Sequence, residues 1–420
     1  MTTTTPRPEA PQALVGHARL LDAVTGLFAR RGLPVARART AAEALCHGDL
    51  AGFPSHGLFN LERLYLPLLD SGRCDPRAEP VTVNDLGACA VVDHRRALGL
   101  WAAAEAMDDA VNRARRHGIG LVSVRGGTHF GCAGFHAARA AAAGMVGVVA
   151  ANCGGQRLVP APGGGRPLLG TNPLSVAAPA LPGHPYVLDM STTVVPTGRL
   201  RLAEREGAPV PEGWLEDGRG APVTDPGAYD RGEARLRWLG GESGTGAYKG
   251  FGLGLAVEVL AAGLSGSATG PAPEALTGDG GAQGVDDGVG FLMLAVDAGR
   301  LRPGGDFTEA MRDLFGTVAD CLPAPGADGE VRYPGWWEAE RAAHRRSEGV
   351  PLPTGLYEEL TTLGLFDSAA TTGSATAGTG TRGLATTGHA TTGHATTGHA
   401  TTGHATTGLA TAGPGMGEAR

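Results

Sequence analysis

The chain is predicted to fold as an α/β protein without a Rossmann dinucleotide domain. Apolar residues at helical spacing fill its N-terminal stretch, and residues 101–151 read as helix, strand, helix and strand in turn. No G-x-G-x-x-G follows a strand with an acidic residue ~20 positions later. The glycine clusters that come nearest, Gly163-Gly164-Gly165 and Gly250-Phe251-Gly252-Leu253-Gly254, have the wrong spacing or the wrong preceding context.

Leu14, Ala18, Leu21, Val24 and Phe28 follow helical spacing, and Gly32 stands where that helix would stop. A second helix is expected from Thr40, which makes a capping box with Glu43, to Gly48-Asp49-Leu50-Ala51-Gly52. It delivers Ser55 and His56 onto a loop. Leu58, Leu61, Leu64, Tyr65 and Leu68 signal a third helix. Trp101 to about His117 reads as a helix stopped by Gly118, followed by a strand at Ile119 to Val124, a helix at Phe135 to Ala143 and a strand at Met145 to Ala151. His129 thus falls between the carboxyl end of a strand and a helix start, where α/β proteins usually hold ligands. Further on, Asp189 ends a strand at Tyr186-Val187-Leu188. Lys249 begins a helix over Phe251 to Leu264, in which Glu258 sits among apolar neighbours as a candidate partner for a cation.

With 420 residues, 42% of them apolar, the chain can bury a sizeable core. A net charge of -7 argues against a general nucleic-acid binder, which needs a basic excess to neutralise phosphates. No uninterrupted apolar run reaches ~18 residues, and Met1 to Pro11 is polar and proline-bearing, so neither a membrane span nor a secretory signal is expected and the cytoplasm is the expected compartment. Cys46, Cys74, Cys89, Cys132, Cys153 and Cys321 form no C-x-x-C pair and no zinc spacing; they read as reduced thiols, and no metal site is expected. Residues 368–420 collapse into Thr, Gly, Ala and Ser. Tandem Ala-Thr-Thr-Gly-His units there carry His389, His394, His399 and His404, and the segment reads as a disordered tail.

One compositional oddity points at a site. Lys249 is the single lysine among 35 basic residues. Lysine is a compact point charge, whereas arginine presents a planar fork of donors. A chain that uses arginine everywhere else is expected to keep this ammonium beside a cofactor or substrate.

Five turns hold residues with chemistry. In Thr128-His129-Phe130-Gly131 an imidazole able to exchange a proton near neutral pH sits between Gly126-Gly127 and Gly131, where backbone can approach a ligand. Ser55-His56-Gly57 can bring a hydroxyl and a ring to one place. Gly170-Thr171-Asn172-Pro173 is a turn by composition. Asp189-Met190-Ser191-Thr192 follows a strand, and Tyr248-Lys249-Gly250 opens a helix whose glycines would let a phosphate reach its N–H groups.

In this order and at these intervals the five stretches resemble the second type of malate/L-lactate dehydrogenase family, which includes ureidoglycolate and sulfolactate dehydrogenases and piperideine-2-carboxylate reductases. The match covers roughly residues 12–365, with Pro334-Gly335 and Gly349-Val350-Pro351-Leu352 near its end. The resemblance implies a mixed, mostly antiparallel sheet flanked by helices. It also implies a helical substrate and dimerisation domain from residues 12–95 and 265–367, and an NAD(P)-binding domain at 96–264. It implies hydride transfer between NAD or NADP and a small 2-oxo or 2-hydroxy acid, in a homodimer. Reduction of a cyclic imine carboxylate is the alternative reaction, and a non-catalytic binding protein on the same scaffold the alternative class. By the same resemblance His129 is the acid/base, with Ser55, His56 and Asp189 as a relay. Asp189 would either orient a histidine or accept from a ribose hydroxyl. The cofactor would meet Thr171, Asn172, Asp189, Met190, Ser191, Thr192, Arg199, Lys249 and Gly250. The substrate would meet Gly170, Asn60, Arg63 and Arg125.

Several positions depart from the family. Asn60 stands where an arginine usually grips the substrate carboxylate, which leaves that task to Arg63 or Arg125. Gly126-Gly127 replace Asn-Ser, Gly198-Arg199 replace Gly-Lys, and Gly290-Phe291 replace Gly-His. Arg125, Arg157, Arg199 and Arg201 all stand where a 2′-phosphate could be met, so NADH and NADPH both remain open.

Overall fold

The computed structural model describes residues 12–242, 244–276, 287–327 and 329–366; the histidine-bearing tail lies outside the described residues. The first element is a strand, β1 (Gln12–Val15), where the spacing from Leu14 predicts helix. Leu14 is exposed, and its strand pairs antiparallel with Val350 to Pro353, so tertiary pairing overrides the local pattern and α1 (His17–Arg30) begins only after Gly16. Helix α2 (Val35–Ala51) starts ahead of Thr40. The Thr40 hydroxyl bonds back to the Ala36 carbonyl at 3.3 Å, as a mid-helix threonine does, instead of capping. Its predicted end holds: Gly52 takes a left-handed φ of 93° and donates to the Gly48 carbonyl. The third helix contains a π turn, Leu61–Tyr65, before α3 (Leu66–Asp70).

The main sheet then begins with β2 (Val81–Asp85) and β3 (Cys89–Asp93), followed by α4 (Gly99–His117), β4 (Ile119–Gly127), α5 (Ala133–Ala142) and β5 (Val146–Ala151). After the short pair β6 (Val159–Pro160) and β7 (Pro167–Leu169) come the long hairpin β8 (Leu174–Leu181) and β9 (His184–Met190), then α6 (Thr197–Arg205). A small sheet of β10 (Leu215–Glu216), β11 (Pro222–Val223) and β12 (Arg235–Leu236) surrounds α7 (Gly227–Asp230) in sequence. Helix α8 (Ala247–Val257) runs on through a second π turn, Glu258–Gly263. The remainder is β13 (Val289–Val296), α9 (Ala298–Leu301), α10 (Asp306–Ala319), α11 (Trp336–Glu348), β14 (Val350–Pro353) and α12 (Thr354–Thr362).

Seven strands make the main sheet in the order β2-β3-β4-β13-β5-β8-β9. Only β3 and β4 run parallel, so the sheet is mixed and mostly antiparallel, as the resemblance implies. The apolar run of β13 explains its central place. Phe291, Met293 and Ala295 pack with α4 and α5 on one face, while Leu292 packs with Val257 and Ala261 on the other. A strand apolar on both sides must be covered on both sides. Because β2, β3 and β13 join strands of residues 96–264, the sheet crosses the domain boundaries expected at 95 and 265. A separate, mostly helical core gathers Phe28, Leu45, Tyr65, Trp101 and Leu352. No helix among the described residues is long and apolar enough to cross a membrane.

Candidate active site

His129 sits in the loop between β4 and α5, as its sequence position predicts. Thr128 stitches this loop to the start of α4: its hydroxyl donates to the Ala97 carbonyl at 3.1 Å and accepts the Gly99 N–H at 2.9 Å. The glycines before it are closely packed. A Cβ on Gly127 would lie 2.6 Å from the Phe291 ring, and one on Gly126 would lie 2.9 Å from Asp93.

Two donors converge on one nitrogen of His129. The buried Tyr65 hydroxyl lies 2.7 Å from Nδ1, and the Gly131 N–H points to the same atom at 3.3 Å. An Nδ1 that accepts carries no proton, so in the neutral ring the hydrogen is on Nε2. Tyr65 reaches this place at the end of the π turn, whose extra residue per turn resets the register of the helix.

The Ser55-His56 turn lies alongside. The His56 ring stacks on His129 with centroids 6.1 Å apart, and Ser55 Oγ is 3.1 Å from His56 Nδ1. Burial holds the His56 imidazole down at about 3, helped by His129, Arg199 and Arg63, so the ring is neutral across the physiological range. Both rings open onto a cleft of about 510 Å3 that Asn60, Arg63, Cys153, Thr171, Asp189, Met190, Ser191, Thr193, Thr197 and Arg199 also line. A cleft this large is of ligand size.

Asp189 is half-buried on β9, and its Oδ2 accepts the Gly134 N–H at 2.7 Å in the first turn of α5. Burial pushes its carboxyl up to about 6, with the Gly134 bond opposing. The carboxylate accepts at the amino end of α5 and lines the cleft, and among the described residues no histidine is hydrogen-bonded to it. The floor beside it is fixed by the second π turn, where Glu258 accepts from Asn152 Nδ2 at 3.1 Å and Asn172 Nδ2 at 3.0 Å. Glu258, a candidate partner for a cation by sequence, is met instead by two neutral amides.

Residues 15–361 match the family model described as malate/L-lactate dehydrogenase. The chain belongs to this family. It is 35% identical over 332 residues to the (2R)-3-sulfolactate dehydrogenase (NADP(+)) of Chromohalobacter salexigens, covering 78% of this chain and 91% of that one. Among solved structures, the malate dehydrogenase of Entamoeba histolytica superposes with a TM-score of 0.77 at 28% identity, covering 84% of this chain and 97% of that one. The Δ1-piperideine-2-carboxylate reductase of Pseudomonas syringae pv. tomato superposes with a TM-score of 0.68 at 28% identity over 84% and 99% of the two chains. The protein is thus a dehydrogenase that works with NAD or NADP.

The cleft of this dehydrogenase fits such a cofactor. Its wall includes the amino end of α6, a nine-residue helix, together with the Ser191, Thr193 and Thr197 side chains and Arg199. Helix amino ends offer unpaired N–H groups to phosphates. Arg199 has no ion-pair partner among the described residues, whereas Arg201 is tied to Asp230 at 2.9 Å.

Not every expected residue reaches the cleft. Asn172, with a φ of 36°, turns its amide into the packing under α8, donating to the Gly254 carbonyl and Glu258 at 3.0 Å. Thr192 is fully buried and donates to the Thr171 carbonyl. Gly170 packs on Cys153, where a Cβ would lie 2.3 Å from that side chain's Cβ. Gly250 abuts Leu239 and Thr192 and donates its N–H to the Leu239 carbonyl at 3.1 Å, and Lys249 is exposed on α8 outside the cleft lining. Arg125 is bound to Asp93 at 2.9 Å, also outside it. Arg157 is likewise not among the lining residues. Asn60 does line the cleft, but its amide is occupied: Nδ2 donates to the Ser55 carbonyl and Oδ1 accepts from Arg63, both at 2.7 Å. Sequence reasoning read Tyr65 as a helix-face residue alone; its one further signal was a hydroxyl on the otherwise aliphatic face of Leu58, Leu61, Leu64 and Leu68.

Proposed function

We propose that this dehydrogenase interconverts a small 2-oxo acid and its 2-hydroxy acid, with His129 giving the proton to the carbonyl oxygen. The nicotinamide supplies or receives the hydride. The observation that carries this reading is the Tyr65–His129 contact: with the Gly131 N–H donating to the same Nδ1, it supports the tautomer that carries its hydrogen on Nε2. Neutral His56, with Ser55 on its Nδ1, lies against the same ring and supports a relay that re-protonates the site. Asp189, next to Met190 and Ser191, is assigned to hydroxyls of the bound cofactor or substrate. Arg199 and the amino end of α6 are assigned to its phosphates.

Arg63 is the proposed carboxylate clamp in place of the arginine absent at position 60. Asn60 holds its guanidinium at 2.7 Å, and Phe59 lies under it with 5.5 Å from ring centroid to guanidinium carbon. Arg63→Ala should raise KM for 2-oxo acids about tenfold or more, the scale of ~1.4 kcal/mol expected for a hydrogen-bonded charge. It should leave carboxylate-free ketones unaffected; equal losses on both classes would remove Arg63 from carboxylate binding. The function itself is tested by oxidation of NADH and NADPH against 2-oxo acids, cyclic imine carboxylates and carboxylate-free ketones. The imine reading stays in the panel because an imine nitrogen needs the same proton and because Ser55, His56 and Asp189 are all at the cleft. Cofactor binding without turnover of any panel member would favour the non-catalytic reading.

The working unit is proposed to be a cytoplasmic homodimer. Tyr248, Val259 and Leu264 on α8 and its continuation are 64%, 63% and 52% exposed and lie on one apolar helical face, which a second copy would cover. Lys249 borders that face, which gives the lone lysine an interface setting. Val259→Asp with Leu264→Asp should halve the mass measured by light scattering. An unchanged dimer would place the interface elsewhere, and a monomeric parent would reject the dimer.

A further inference from the structure

Asp49 is a buried carboxyl to which the reaction above gives no task. It lies on the last turn of α2, and its Oδ2 accepts the Leu58 N–H at 2.7 Å. Leu58 follows Ser55-His56-Gly57 directly, so this bond ties the far end of the turn that carries His56. The approach is closer still at Gly57, where a Cβ would lie 2.1 Å from Asp49 Oδ2; only glycine leaves room for the carboxylate. On the same side, a Cβ on Gly48 would lie 2.6 Å from the Gly57 nitrogen, so the end of α2 presses against the His56–Gly57 peptide itself. The near end of the turn is held by a neutral group, the Asn60 amide on the Ser55 carbonyl. The two ends are therefore fixed by one neutral and one ionisable side chain.

We propose that Asp49 is a positioning residue of this active site: as a carboxylate it holds the Ser55-His56 turn against His129, and on protonation it loosens that hold. The inference rests on the reaction proposed above. A carboxylate accepting an N–H makes a bond roughly twice as strong as a neutral acceptor does, so the charge decides how firmly the turn is pinned. The neighbourhood lets that charge change near neutrality. Arg345 of α11 donates to the Asp49 backbone carbonyl and makes no ion pair with its carboxylate, and burial pushes the carboxyl up to about 7 against the opposing effects of the Leu58 bond and Arg345. Cys46 on α2 and Cys132 ahead of α5 also face it, and burial drives both thiols far up, so they stay neutral. His56 is neutral as well, and Asp189, which acts on Cys132 with Asp49, is the other carboxyl near the neutral range.

The test is the pH profile of kcat/KM for the parent, Asp49→Asn and Asp49→Ala. Asparagine keeps an acceptor for Leu58 and removes the titration. The parent should show a limb rising with pH around 7. Asp49→Asn should flatten that limb, running about tenfold below the parent at pH 8.5 and within about twofold at pH 6, as expected if a charge-assisted bond becomes a neutral one. Asp49→Ala should be low at every pH. A parent-shaped profile within twofold in Asp49→Asn would overturn the proposal. Should the Asp49 variants fail to fold, the His56 Cε1–H resonance in His129→Ala, which lacks the neighbouring imidazole, reads the hold directly. It should shift in a step near pH 7, and no step there overturns the proposal. Because the resonance needs no turnover, it still decides the matter if the parent reduces nothing in the panel, a result that would count against the proposed reaction instead.

Discussion

His129→Ala should lower turnover by about a hundredfold or more while cofactor affinity stays within about twofold, the usual scale for removing a positioned acid/base. The reason lies in which atom faces the cleft. Tyr65 and Gly131 both lie on Nδ1, so the proton proposed to reach a substrate oxygen or nitrogen is the one carried on Nε2. Alanine deletes that donor and leaves Ser191, Thr197 and Arg199, the residues proposed to meet the cofactor, in place. The check is kcat from steady-state rates together with cofactor Kd from quenching of nicotinamide fluorescence. Unchanged turnover would take His129 out of the mechanism. Loss of cofactor binding in parallel with rate would mean the ring supports the cofactor and not the proton.

Acid should unfold this protein cooperatively between about pH 5 and 4, through histidines far from any chemistry as much as through the site. Burial lowers His47 and His94 to about 4, and His56 and His136 to about 3. His94 and His136 each leave Nδ1 without a hydrogen-bond partner, so neither ring has an acceptor waiting to stabilise a second proton there. A histidine whose folded pKa is depressed contributes stability that is present above its unfolded value of 6.5 and is lost as pH falls toward the folded value. Two carboxyls work the other way: Asp49 at about 7 and Asp189 at about 6 hold protons that the unfolded chain releases, so they favour the folded state as pH drops toward their ordinary value of 3.8. Near pH 5 the unfolded chain binds about two protons more than the folded one, a slope of roughly 2–3 kcal/mol per pH unit. Two pH units at that slope remove about 4–6 kcal/mol, enough to unfold a chain whose total stability lies near the lower end of the usual ~5–15 kcal/mol. Urea denaturation followed by circular dichroism from pH 7.5 to 4.5 measures the slope. A midpoint that stays flat over that range would show that these histidines are not held neutral at such cost.

The sequence by itself determined the parts governed by local chemistry. Gly52 and Gly118 end helices because only glycine adopts their left-handed backbone readily, so the positions of Ser55-His56 and of β4 follow from them. His129 was legible as a loop residue between strand and helix for the same reason, and the missing glycine fingerprint excluded the Rossmann arrangement. Tertiary structure decided what depends on distant partners. Helical spacing at Leu14 gave way to pairing with β14, more than three hundred residues downstream. The register shift of a π turn, which carries Tyr65 to His129, leaves no mark in Leu61-Glu62-Arg63-Leu64-Tyr65, a stretch that reads as ordinary helix. Asp189 faced either a histidine or a ribose on paper, and the amino end of α5 took its carboxylate. Lys249 and Arg125 carry the same charge as Arg63 and Arg199, yet of these four only the latter pair line the cleft. A residue type states which bonds a side chain can make; which partner lies within 3 Å is fixed only when strands and helices from both ends of the chain have packed.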